Sequence, residues 1–190
     1  MGKRAFDLAV AGALLLLLSP ILLAIVLALW VQGQTTVFNF SPRVGRHGRP
    51  FRLLRFKTMR DTDLPVARRL TPVGRLIRNY SLDDLPNLVN VLKGDLSLVG
   101  PRPTEPARVE LDDREWRRIL TVRPGILSYA IWTLAADFNA SDPALQRKLE
   151  LLYVDRQSLW FDLQLIGWSL QKLMASRGNI KARGKPSTKR

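Results

Sequence analysis

Residues Leu8 to Gln32 carry no charge, and no other feature limits the architecture so strongly. The 24 residues LAVAGALLLLLSPILLAIVLALWV, taken as helix, would span about 36 Å against roughly 30 Å of bilayer hydrocarbon. The run is too long for a signal peptide and no small-x-small cleavage site follows it, so a membrane segment is expected. Ser19-Pro20 stands at its middle. Proline removes one backbone hydrogen bond and crowds the preceding turn, which predicts a kink, and the serine hydroxyl offers the freed carbonyl a donor. Lys3 and Arg4 precede the run, and Arg43, Arg46, Arg49 and Arg52 follow it. The positive-inside bias asks for both ends in the cytoplasm, which a helix-break-helix that dips in and returns satisfies and a single crossing does not. The first expected unit is therefore a re-entrant anchor over 1–33, broken at Ser19 and Pro20.

The remaining chain is long enough for one compact domain. The sequence has no cysteine and one histidine, His47, which excludes disulfides, thiolate metal sites and a His-rich centre. Beside Gly48 and three arginines, His47 reads as a loop residue, since a base needs a positioned partner. Net charge is +14, unevenly spread: residues 42–80 hold eleven basic and two acidic residues, 172–190 seven basic and no acidic, and 81–171 thirteen acidic against ten basic. The basic zones suit polyanions, whether nucleic acid, anionic headgroups or phosphorylated substrates.

Local patterns predict a mainly helical α+β domain over 34–175. Thr35–Phe40 and Phe51–Met59 read as strands of a hairpin around a turn at 43–50. Asp61–Val66 reads as loop. Thr71-Pro72 is a helix start, and Ser81 with Asp84 resembles a capping box opening a helix over 82–93 that ends at Gly94. Asp95–Val99 is extended, and Gly100-Pro101-Arg102-Pro103 cannot be helix. Further helices are expected over Ala107–Leu120, from Ser141-Asp142-Pro143, and from Ser158 to about Ala175. The last carries Trp160, Phe161, Leu163, Leu165, Ile166, Trp168 and Leu170, which suits either a core helix or an amphipathic helix lying in the membrane interface. Residues 176–190 read as a basic, disordered tail suited to anionic headgroups.

The densest chemical constellation is Arg78-Asn-Tyr-Ser-Leu-Asp83-Asp84-Leu-Pro86, followed by Lys93-Gly94-Asp95 and Gly100-Pro-Arg102-Pro103. Adjacent aspartates in a first helical turn are favoured by the helix dipole and need no further role. Arg78 upstream and Arg102 in its rigid frame change that reading, because arginine forks match phosphate oxygens. A carboxylate among such arginines serves either as ligand to a hard cation or as nucleophile on phosphorus.

From Lys3 to about Leu173 the chain resembles the bacterial sugar transferases, the small monotopic phosphoglycosyl transferases. The landmarks are Lys3-Arg-x-Phe6-Asp7, Leu18-Ser-Pro20, Arg43-Val-Gly-x-x-Gly-x-Pro-Phe51, Arg55-Phe-Lys57-Thr-Met59, Ser81-Leu-Asp-Asp-Leu-Pro86, Asn90-Val-Leu-x-Gly-Asp95, Gly100-Pro-Arg-Pro103, Val122-Arg-Pro-Gly125, and Tyr153-Val-Asp155 with Asp162-Leu. The resemblance implies a nucleotide diphosphate sugar, a UDP-sugar, as donor and polyprenyl (undecaprenyl) phosphate as acceptor. It implies Asp83 as covalent nucleophile, Asp84 as catalytic partner and Mg²⁺ ligand, and Arg78, Arg102 and Lys57 as phosphate-binding residues. It also implies a place at the bacterial inner membrane with the catalytic domain on the cytoplasmic side, in glycoconjugate, exopolysaccharide or capsule assembly. The chain departs from the family pattern twice. Asp84 stands where glutamate is usual, and Ile126-Leu-Ser-Tyr-Ala130 replaces the usual continuation after Gly125, so no nucleotide contact is carried onto that stretch.

Two competing readings follow from the same residues. A membrane-anchored basic binding or scaffold protein would use the two basic zones and bind polyanions salt-dependently. Nucleic acid is not the expected partner, because Asp83, Asp84 and Asp95 beside the arginines would repel its backbone. A degenerate relative would keep the fold and lose turnover.

Overall fold

A computed structural model of the chain describes residues 2–60 and 70–183, with side chains placed up to Lys172; the loop expected at Asp61–Val66 lies outside the described residues. The chain opens with helix α1, Gly2–Val31, followed by an antiparallel hairpin of β1, Phe38–Val44, and β2, Pro50–Phe56. Helices α2, Pro72–Asn79, and α3, Asn87–Lys93, lead to β3, Ser97–Val99. Then come α4, Arg114–Ile119; β4, Gly125–Leu127; α5, Tyr129–Leu134; α6, Pro143–Arg156; and α7, Leu159–Arg183. The fold is α+β and mainly helical, as expected.

Helix α1 is continuous through Pro20, so the expected break does not interrupt the helix. Pro20 has no N–H for the Leu16 carbonyl, and the Ser19 hydroxyl donates to that carbonyl at 2.8 Å. The lost bond is thereby replaced within one turn. One stripe of α1 faces the domain along the helix. Asp7 and Ala11 are buried near one end and Ile25 and Leu29 near the other, whereas Leu16, Leu17, Leu23, Leu27, Trp30 and Val31 are exposed. At the first end α1 packs on α3 and β3, where Ala11 joins Leu53, Leu88, Val91, Leu96, Leu98, Val99, Tyr153 and Leu165 in the main core. At the second, Ile25 and Leu29 meet Phe56 and Ile77.

Polar residues lock the start of α1 to the domain. Asp7 is buried and accepts from Ser97 Oγ at 2.8 Å and Leu98 N at 3.2 Å. Lys3 donates to the Val99 carbonyl at 3.0 Å and is ion-paired with the buried Asp162, which also accepts from the Tyr153 hydroxyl at 2.7 Å. Arg4 donates to the Val91 and Leu92 carbonyls at 2.8 and 3.2 Å, satisfying the open end of α3. Charges expected only as topological flanks are thus also structural clamps.

The helix over 107–120 is only α4, because Asp113 caps it by accepting from the N–H groups of Glu115 and Trp116 at 2.7 and 2.9 Å. A second sheet was not foreseen: β3 and β4 pair in parallel, Ser97 with Gly125 and Val99 with Leu127. Here Gly100 and Gly125 meet backbone to backbone. A Cβ on Gly125 would lie 2.0 Å from Gly100 N, and one on Gly100 would lie 2.4 Å from the Arg123 carbonyl, so only glycine fits. This contact seats the Pro-Arg-Pro loop, since Gly125 N donates to the Pro101 carbonyl at 2.8 Å.

The caps expected for the last two helices are present. Asp142 accepts from Ala144 N at 2.9 Å, and Ser158 accepts from Phe161 N at 3.1 Å. Helix α7 runs to Arg183, past the end expected at Ala175, and takes up the first part of the basic tail; residues 184–190 lie outside the described residues. On α7, Asp162 and Leu165 face the core, while Trp160, Leu163 and Leu170 are exposed.

Candidate active site

The acidic pair lies in a turn rather than in a helix. Leu82–Asp84 forms one 3₁₀ turn, closed by Leu85 N to the Leu82 carbonyl at 3.2 Å, and α3 begins only at Asn87. Pro86 supplies no N–H to continue an α-type ladder, so the entry tightens to i→i+3 bonding. The capping box expected at Ser81 is absent. Ser81 makes no side-chain cap and holds φ 54° and ψ 28°, a left-handed conformation costing a serine about 1 kcal/mol or more. Its N–H donates to the Arg78 carbonyl at 3.0 Å, and the sharp bend presents the two carboxylates one after the other.

The two aspartates have different surroundings. Asp84 accepts from Asn87 Nδ2 at 3.3 Å and lies 4.0 Å from Arg55. Loss of water raises its pKa and the neighbouring Asp83 raises it further, while Arg55, Asn87 and Arg102 pull it back. Asp83 makes no hydrogen bond or ion pair with another described residue. Among the described residues its carboxylate is uncommitted.

Arg102 comes to the pair from the loop after β3. Its guanidinium stacks over the Phe138 ring, 4.6 Å from the centroid. Loss of water and the nearby Arg43 lower its pKa, and Glu150 and Asp84 raise it again, so these three lie within electrostatic reach of it. Arg43 and Arg55 share one face of the hairpin, because the cross-strand pairs Arg43–Phe51, Ser41–Leu53 and Asn39–Arg55 alternate with pairs on the other face. Arg43 is also paired with Glu105 at 3.2 Å. Arg55 and Arg102 thus both act on the Asp84 carboxylate, and Arg43 stands beside Arg102.

Of the other residues expected here, Arg78 ends α2 exposed, and its guanidinium is not hydrogen-bonded to another described residue. Lys57 donates to Thr36 Oγ1 at 2.8 Å, which holds its ammonium at the approach to β1. The ion pair to the acidic turn comes instead from Arg55. Arg43, Arg55, Asn87, Phe138 and Glu150 were not singled out as site residues from sequence. Arg43 reads from sequence as the start of the turn, so its place on one face with Arg55 emerges only from the observed register. Phe138 and Glu150 had no local signal.

Among the described residues no three His, Cys, Asp or Glu side chains gather into a metal site. The oxygen donors at the acidic turn nevertheless suit a hard cation. Asp83 and Asp84 are adjacent, and the buried Asn87 Oδ1 beside them has no partner among the described residues. Mg²⁺ is commonly held by one or two carboxylates completed by substrate phosphate and water.

The sequence matches the bacterial sugar transferase family over residues 1–176. It is 40% identical to an uncharacterized sugar transferase, EpsL, of Bacillus subtilis, over 93% of this chain and 89% of that one. It is 35% identical to an undecaprenyl-phosphate glucose phosphotransferase of Komagataeibacter xylinus, over 92% of this chain and 36% of the relative. It is 33% identical to a UDP-N-acetylgalactosamine-undecaprenyl-phosphate N-acetylgalactosaminephosphotransferase of Aeromonas hydrophila, over 93% of this chain and 44% of the relative. The chain therefore spans less than half the length of these two phosphotransferases and nearly all of the Bacillus protein. Landmarks in order, an acidic turn beside Arg55 and Arg102 and a match over nearly the whole length make this chain a member of the bacterial sugar transferase family.

Proposed function

We propose that the chain transfers a sugar 1-phosphate from a nucleotide diphosphate sugar, a UDP-sugar, to a polyprenyl phosphate carrier such as undecaprenyl phosphate. The observation that carries this reading is the uncommitted Asp83 carboxylate beside an Asp84 engaged by Arg55 and Asn87. A free carboxylate is available as nucleophile, and its neighbour is held for another task. Successive residues of a 3₁₀ turn point about 120° apart, so the two do not address one phosphorus together.

In the first step an Asp83 oxygen bonds to the sugar-linked phosphorus. The bond from that phosphorus to the bridging oxygen breaks, and the nucleoside monophosphate leaves with the electron pair. In the second, an oxygen of the polyprenyl phosphate attacks the same phosphorus and Asp83 leaves as carboxylate. The products are a polyprenyl diphosphate sugar and the unchanged enzyme. Arg43, Arg55 and Arg102 would hold phosphate oxygens, with Arg78 and Lys57 at the margins. Asp84, with Asn87, would hold Mg²⁺, which supplies neutralisation of diphosphate charge when bound.

The carrier's phosphate sits at headgroup depth, and the anchor fits that position. Helix α1 lies along the domain by both of its ends, with apolar side chains exposed opposite the contact stripe, and the exposed Trp160, Leu163 and Leu170 of α7 add interfacial surface. A helix fastened at both ends to a polar domain is poorly placed to cross the bilayer, which favours an anchor with both ends on the cytoplasmic face of the inner membrane. Cysteines placed near residues 2 and 45 should both resist an impermeant thiol reagent added to intact cells. Labelling of one from outside would make the anchor a spanning helix.

The function itself is tested by incubating the membrane-embedded protein with undecaprenyl phosphate and a panel of radiolabelled nucleotide sugars. One donor should pass label into the lipid fraction with release of its nucleoside monophosphate. Salt-sensitive binding of polyanions with no transfer from any donor would favour the basic binding protein instead.

A further inference from the structure

Glu150 has no part in the chemistry above, yet it is the most constrained carboxyl near the site. It lies midway along α6 and is 7% exposed. One of its oxygens, Oε1, accepts from two separate segments, the Arg102 backbone N–H at 3.0 Å and the Ser128 hydroxyl at 2.7 Å. Ser128 in turn caps α5 by accepting from Ile131 N at 3.2 Å. The other oxygen, Oε2, is buried without a partner among the described residues. Glu150 therefore ties the Pro-Arg-Pro loop to α5 and α6 from beneath, while Phe138 supports the Arg102 guanidinium from the side.

The groups around Glu150 make it sensitive to protonation. Burial pushes its carboxyl up to about 7, although the Ser128 hydroxyl, the Arg102 N–H and the Arg102 charge all favour the ionised form. Several other charges on packed elements are paired elsewhere, Arg118 of α4 with Asp155 of α6 among them. Asp113 and Glu115, at the start of α4, stand 4.0 and 3.8 Å from Arg147 of α6 itself. Asp162 of α7 is paired with Lys3, and α5 brings Tyr129 and no charge. Arg102 is thus the cation that feels Glu150 most directly. A neutral Glu150 leaves the guanidinium's field intact, and an ionised one opposes it.

We propose that Glu150 is a positioning residue for anion binding at Arg102, setting from beneath both the place of that guanidinium and the strength of its field. The inference rests on the proposed function only in identifying the anion as a substrate phosphate. Sulfate is a suitable probe, because its charge is constant between pH 6 and 8. With full-length protein in lipid nanodiscs, calorimetry should show sulfate affinity falling about three- to tenfold from pH 6 to pH 8, the effect of one added charge at this range. Glu150→Gln keeps the shape and an acceptor oxygen, and should hold the pH 6 affinity throughout. Ser128→Ala removes a donor to the ionised form, and should move the step to higher pH. Arg102→Ala should lose both binding and step. A slope that survives in Glu150→Gln, a wild type indifferent to pH, or unchanged binding in Arg102→Ala would overturn the proposal. A protein that shows the step yet transfers no sugar phosphate would uphold it and refute the proposed function.

Discussion

Asp83→Asn is expected to lower sugar-phosphate transfer by about a thousandfold or more, the scale of losing a covalent nucleophile. The amide keeps the size of the side chain and cannot form the acyl phosphate. Asp83 has no partner among the described residues, so its replacement should leave the melting temperature unchanged. Asp84→Asn should slow transfer by about ten- to a hundredfold, the usual cost of disturbing a supporting group, and should raise the Mg²⁺ concentration needed for half-maximal rate. Its stability effect has a defined sign. The folded-state pKa of Asp84 lies above its ordinary value, so the stability it contributes is present below that ordinary value and lost as pH rises through the folded one. At neutral pH the ionised Asp84 is a cost, and the asparagine variant should melt no lower than the wild type. Thermal melts and steady-state kinetics across Mg²⁺ concentrations on both variants check these outcomes. A larger loss for Asp84→Asn than for Asp83→Asn would reverse the assigned roles.

Arg102→Lys should lower turnover by more than about tenfold with little change in melting temperature. Lysine retains the charge but loses the planar fork and its stacking on Phe138, 4.6 Å from the guanidinium. The backbone hydrogen bond from residue 102 to Glu150 survives any side-chain change, which is why the fold should tolerate the substitution. Kinetics and calorimetric melting on the one variant separate the effects. A lysine variant that melts many degrees lower and retains its rate would make Arg102 structural.

What could be read in the sequence was what local chemistry dictates. The anchor, the hairpin and the starts of α2, α6 and α7 follow from apolar runs, turn residues and caps such as Thr71, Asp142 and Ser158. Ser19 was expected to serve the carbonyl freed by Pro20, and it does. Features that depend on distant residues were not legible. The strands β3 and β4 have three residues each, and their pairing joins Ser97 to Gly125 across 28 positions, a match no local pattern encodes. Asp113 was available as a cap, but the stretch before it reads as helix by composition alone. Ser81 looked like a cap because the capping-box spacing is right, yet Pro86 reshapes the turn and leaves Ser81 left-handed.

The site divides in the same way. Asp83, Asp84 and Arg102 stood out because unusual residue types lie in rigid local frames. Arg55 reaches Asp84 through strand register, and Glu150 reaches Arg102 through the packing of α6. The stretch Ile126-Leu-Ser-Tyr-Ala130, which departs from the family pattern, supplies β4 and the Ser128 hydroxyl that meets Glu150.

The central claim is a covalent sugar phosphate on Asp83. Intact-protein mass spectrometry after brief exposure to a productive nucleotide sugar, with no lipid acceptor present, measures it directly. A mass gain equal to one sugar phosphate is predicted in the wild type, located at Asp83 by peptide mapping, absent from Asp83→Asn and still detectable in Asp84→Asn. An adduct on Asp84, one that persists in Asp83→Asn, or rapid transfer with no adduct at all would contradict the account.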